Sequence, residues 1–185
     1  SVRDVLRSTK EGLVYIKNRG EIAVPLLLLA VMSAFVINYS IFVPTFAKIN
    51  LGRAASGYGF LMTAMGVGSL VAALVLAMRS SKGPSRIRLF GGVVVMCVAI
   101  LVCGFQRDYL VSCVLLAIAG FGTISFSAST NATIQLASDN DHRGRVMSVY
   151  SLVFGGVTPI GALWAGAVTE ATSPAACMSI AGTIG

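Results

Sequence analysis

The sequence predicts an all-α, polytopic transmembrane helix bundle, and three observations carry that prediction. Only 11% of the residues are charged, against about a quarter in an ordinary soluble domain. The hydrophobic share is 56% and glycine, which is more frequent in transmembrane than in soluble helices, occurs 20 times; mean hydropathy is +0.84. The apolar residues also gather into charge-free runs of the length a hydrocarbon core demands, roughly 20 helical residues. Strands are unexpected, because the runs lack the alternation of a membrane barrel and lipid otherwise admits only helices.

Residues 1–20 form a charged lead-in, expected to be a cytoplasmic interfacial segment. Val2, Leu6, Leu13 and Ile16 fall near one helical face with Arg3, Arg7, Lys10 and Lys17 around it. That pattern suits either a helix lying on the membrane surface or a plain charged connector. Ser8 and Glu11 have capping-box spacing, and Gly20 is placed to end the helix. Within 21–185, five full spans are expected at 22–47, 58–78, 89–105, 110–137 and 146–169. A sixth run over 175–185 is too short to cross alone. With Ser1 in place of an initiator Met, the chain is expected to be an excised segment whose sixth helix is truncated.

The basic residues set an orientation. Eleven of the 14 lie before the first span, between the second and third, or between the fourth and fifth. The alternate loops hold only Lys48, Arg53 and Arg107. Positively charged loops stay on the cytoplasmic side, so the N-terminus of the chain is expected there. The charge of +7 is scattered between spans, not set along one face, and no nucleic-acid partner is expected. Cys97, Cys103, Cys113 and Cys177 lie inside apolar runs without metal-ligand or disulfide-framework spacing, so no metal or cofactor is expected.

An enzyme at membrane depth needs paired acids, a histidine cluster or a nucleophile with its base. The first four spans carry no Asp, Glu, Lys or Arg, and the single histidine, His142, falls in a loop. What they carry is neutral polarity. Thr123, Ser127, Asn131 and Gln135 recur every four residues, and Ser125, Ser129 and Thr133 form a second set on another face. Such a stripe either lines a cavity or bonds neighbouring helices together. Asn131 stands out, because a carboxamide facing lipid costs several kcal/mol.

In the first span, Asn38 and Tyr39 add polarity, and Pro44 frees a carbonyl near Ser40, where a distortion is expected. Gly66 and Gly68 in the second span, and Gly156 and Gly161 in the fifth, are candidates for close helix packing. Pro159 marks an expected bend. The turn SDNDHRGRVMSVY offers Ser138 or Asp141 as a helix cap, with Asp139 and Asp141 beside Arg143, Gly144 and Arg145. Ion pairs there would form a latch, or the turn is simply a basic anchor.

The lead-in EGLVYIKNRG, the run SGYGFLMTAMGVGSL and above all DHRGRVMSVYSLVFGGVTPIGALWAG resemble the C-terminal half of a major facilitator superfamily transporter over essentially the whole chain. The strongest likeness is to the bacterial drug and siderophore exporter group that includes the enterobactin exporter. The resemblance implies a six-helix C-terminal half, a missing N-terminal six-helix half as partner, and secondary transport by alternating access. It implies efflux of a small amphipathic or drug-like substrate or a siderophore, and a multi-pass place among the lipids of a bacterial inner membrane. The family's cavity-lining role falls on the first and fourth spans, hence on Asn38, Tyr39, Thr123, Ser127 and Asn131.

The sequence departs from the family in AMRSSKGPSRIRLFGG, which has Arg79, Lys82, Gly83 and Arg86 but no Asp. Set against the family pattern, that implies a lopsided cytoplasmic gate, with Asp141, Arg143, Gly144 and Arg145 carrying more of it. The stretch GGVTPIG resembles the Gly-Pro motif of antiporters, though in another helix. The alternative to a transporter is a non-transporting membrane scaffold or anchor.

Overall fold

The computed structural model describes residues 12, 15–53, 55–79, 83 and 85–185. Most of the lead-in, with Ser8 and Glu11, lies outside the described residues, as does Lys82. Tyr15, Ile16 and Lys17 are helical. Gly20 does not end that helix; it opens the next one. The break falls at Arg19, whose backbone is extended and whose carbonyl accepts the Ile22 and Ala23 amides.

Among the described residues the regular structure is entirely helical. The helices are α1 (Gly20–Phe35), α2 (Tyr39–Ile49), α3 (Ala55–Met78), α4 (Arg86–Gly104), α5 (Tyr109–Ala137), α6 (Asn140–Gly156), α7 (Thr158–Ala171) and α8 (Pro174–Ile184). Five stretches are long and apolar enough to cross a membrane: α1 with α2, α3, α4, α5, and α6 with α7. The eleven residues of α8 form a shorter apolar helix. Each span is apolar on its outer faces as well, with Leu27, Phe60, Leu70, Ile87 and Leu163 exposed. Helices hydrophobic all round belong in lipid.

α5 is the centre of the bundle, with α3 and α4 packed along it and α1 against it. Its 29 residues span roughly 43 Å at 1.5 Å per residue. The α3 residues turned inward are Gly57, Leu61, Met65, Gly68 and Ala72, three or four apart, so one stripe faces α5. A Cβ on Gly68 would overlap the Ala117 carbonyl, and one on Gly120 would overlap that of Met65, so these two backbones touch. Gly92 and Gly122 do the same for α4 and α5. Gly66, two residues from Gly68, faces open space.

Two spans are interrupted, and one of them packs against the break in the other. α1 and α2 part at 36–38, a turn nearer the N-terminus than the Pro44 rule places the distortion. The cause is Asn38, whose amide donates to the Ser33 and Ala34 carbonyls, each at 3.0 Å, in place of the backbone ladder. Pro44 lies inside α2. α6 and α7 part at Val157, two residues before Pro159, which has no amide to continue the helix. A Cβ on Gly161 would overlap both the Ala34 carbonyl and the Asn38 amide, so α7 sits directly on the first break.

The side-chain contacts sort the helix ends into two sets. Glu21 at the start of α1 faces Arg86 at the start of α4, and Arg19 reaches the turn between α5 and α6. At the opposite end, the Tyr109 phenol at the start of α5 donates to the Gly57 carbonyl at the start of α3, 2.8 Å away. The Arg53 guanidinium lies over the Tyr109 ring, 4.9 Å from its centroid. Arg19, Arg79, Arg86, Arg88, Arg143 and Arg145 therefore share one end of the bundle, and Arg53 and Arg107 the other.

Candidate functional site

The polar stripe of α5 is half-buried, whereas two of the three residues of the second polar set are packed away. Ser125 and Ser129 are buried, and the Thr133 hydroxyl is tied to the Ser129 carbonyl at 2.7 Å. Thr123, Ser127 and Asn131 stay partly exposed on the other face, and Gln135 is exposed. The stripe meets α2 at its inner end. Thr123 donates to the Ala119 carbonyl at 2.8 Å, which leaves the Tyr39 phenol, buried, to donate to Thr123 Oγ1 at 2.9 Å.

At the other end of the stripe, Gln135 Nε2 donates to Asn131 Oδ1 at 2.6 Å, and Asn131 also interacts with the Tyr150 phenol of α6. The structure thus joins Tyr39 to Thr123 and Asn131 to Gln135, with Ser127 between the pairs. Asn38 is elsewhere: its amide is spent on the α1 break. Gly156 and Gly144 are exposed, and a Cβ on either would meet no neighbouring helix among the described residues, whereas Gly68 and Gly161 lie against backbone.

The turn between α5 and α6 is built differently from the arrangement expected within it. Ser138 bonds back to the Ile134 carbonyl, and the residue at the cap position of α6 is Asp139, whose side chain makes no cap hydrogen bond. Its carboxylate is engaged by the lead-in. Arg19 grips it with two nitrogens, at 2.7 and 3.3 Å, and the Tyr15 phenol donates to it at 2.9 Å. Tyr15 also stacks on His142, ring centroids 4.3 Å apart, and carries the Arg19 guanidinium at 4.7 Å.

Arg143 turns the other way, donating to the Gln135 and Ser138 carbonyls at 3.0 and 3.3 Å and so finishing α5. Asp141 sits in the first turn of α6, where a negative charge suits the helix dipole. Tyr15 and Arg19 are one turn apart in the lead-in, and Asp139 and His142 are three apart at the turn. Nothing in a single sequence links two such pairs across about 120 residues.

The Tyr15 hydrogen bond, and after it the Arg19 charge working against desolvation, hold the Asp139 carboxyl below its ordinary value of 3.8. The stabilisation is therefore complete above that value and is lost as pH falls through the lowered one. Asp139→Asn should melt below the wild type at neutral pH, and the gap should close in acid well under pH 3.8. Equal melting at neutral pH would show that the cluster holds nothing together.

No match among curated proteins or among solved structures reaches significance. The model of one family, described as transmembrane secretion effector, matches residues 2–184, almost the whole chain. Its five membrane-length helical stretches and its turn-linked bundle suit that match. The chain belongs to the transmembrane secretion effector family, within the major facilitator superfamily of multi-pass membrane transporters.

Proposed function

We propose that the chain is the C-terminal half of a secondary exporter in the bacterial inner membrane, close to the drug and siderophore exporter group. It moves a small amphipathic molecule outward by alternating access, opposite a second six-helix half of the same protein. The observation that carries this reading is the half-open polar stripe of α5, with Tyr39 of α2 bonded to its inner end. A stripe meant only as glue would be as buried as Ser125 and Ser129. Neutral donors and acceptors on apolar walls suit an amphipathic solute better than an ion.

The two broken spans, meeting at Asn38 and Gly161, supply a place where α2 and α7 swing while the rest of each span stays packed. The arginine-rich end faces the cytoplasm, by the distribution of positive charge. The test is transport of drug-like dyes by the full-length protein in proteoliposomes under an imposed proton gradient. Extrusion that depends on the gradient is expected. Well-folded protein that moves no solute in either direction would favour a scaffold.

A further inference from the structure

α3 and α4 both lie along α5 and pack little against each other, so a seam runs between them over α5. At the arginine-rich end the seam opens into a cavity of about 240 Å³, lined by Val75, Leu76, Arg79, Arg88, Val95 and Phe121 among others. Among the described residues no acid lines it beside its two cations. The sequence contains no Asp or Glu from 22 to 107. Arg86, beside them, faces Glu21, 3.8 Å away across a different cavity.

Among the described residues Arg79 has no acidic partner. Arg88 donates through one guanidinium nitrogen to the Gly83 carbonyl, while its buried Nε finds no hydrogen-bond partner among the described residues. A buried donor left unmet is costly and calls for an acceptor. Ser85, at the cap of α4, supplies none to the helix start. The rest of the lining is mostly apolar, with Val75 and Leu76 of α3, Val95 of α4 and Phe121 of α5 beside the two arginines.

The geometry points to a binding site for an anionic phospholipid, its phosphate between Arg79 and Arg88 and its acyl chains along the seam. The arginines stand at the ends of membrane helices, Arg79 just beyond α3 and Arg88 in the first turn of α4, which is headgroup depth. A phosphate gives Arg88 Nε its acceptor and offsets a paired positive charge. The apolar lining of the cavity favours a lipid over a free phosphate, which has no use for it.

The site is tested on the full-length protein, delipidated in detergent, by native mass spectrometry with phosphatidylglycerol and phosphatidylcholine of equal chain length. The wild type should prefer the anionic lipid. Each arginine near an anionic surface contributes about fivefold, so Arg79→Gln with Arg88→Gln should cut that preference about 25-fold. Arg107→Gln, at the other end of the bundle, should leave it unchanged.

Where the double variant is poorly folded, Arg79→Lys alone replaces it. It keeps the charge and should keep most of the preference, whereas Arg79→Gln alone should lose about fivefold. Glycerol 1-phosphate should not compete at equal concentration. Equal binding of the two lipids by the wild type, an undiminished preference in the glutamine variants, or full competition by glycerol 1-phosphate would each overturn the proposal.

Discussion

Gly68→Leu should abolish the folded bundle, while Gly66→Leu on the same helix should leave melting unchanged. A Cβ on Gly68 falls on the Ala117 carbonyl and Cα, which are backbone atoms of α5 with nowhere to retreat. Moving α3 outward would also pull Met65 from Gly120, where the same overlap exists in reverse. Overpacking a core ordinarily costs about 1–3 kcal/mol. Here the clash is backbone on backbone along a principal helix pair, so the upper figure is a floor. Size-exclusion and thermal melting in detergent decide it: a Gly68→Leu protein that melts like the wild type would mean that α3 and α5 do not touch there.

Asn131→Leu should cut transport about tenfold while melting holds or rises, since a lost hydrogen bond is worth about 1 kcal/mol or somewhat more. Asn131 bonds along its own helix to Gln135 and reaches Tyr150, and it stays partly exposed. If it were glue between α5 and α6, leucine would cost about 0.6 kcal/mol of stability and leave transport alone. The two outcomes differ on both readouts. Measuring dye efflux and melting on the same preparation therefore separates a cavity residue from a packing one.

The helical class was legible because lipid leaves few choices: charge-free runs of membrane length have to be helices. What position along a helix means for packing was not. Gly66 and Gly68 look alike in the sequence, yet one meets open space and the other a carbonyl, since a difference of two residues turns a side chain by roughly 200° on a helix with 3.6 residues per turn. Gly92 and Gly122, which bring α4 onto α5, carried no more signal than any other glycine.

Pro44 drew attention as the helix breaker, but Asn38 makes the break, because its amide competes for carbonyls that a proline merely leaves free. The pairing of Arg19 and Tyr15 with Asp139 was hidden for a different reason. The acid had nearer basic neighbours in Arg143 and Arg145, and only the fold shows that Arg143 is occupied with the end of α5. The polar spacing on α5 was plain in the sequence. Which of its two faces stays open required the positions of α3 and α4.

In the proposed orientation the spans cross the membrane in alternation, with the arginine-rich end of the bundle on the cytoplasmic side. Single cysteines replacing Arg79, Asp141, Leu51 and Arg107 in a cysteine-free full-length protein can be probed with a membrane-impermeant maleimide from either side. Arg79 and Asp141 positions should label only from the cytoplasmic side, and Leu51 and Arg107 positions only from outside. Labelling of the Arg79 and Asp141 positions from opposite sides would contradict the account.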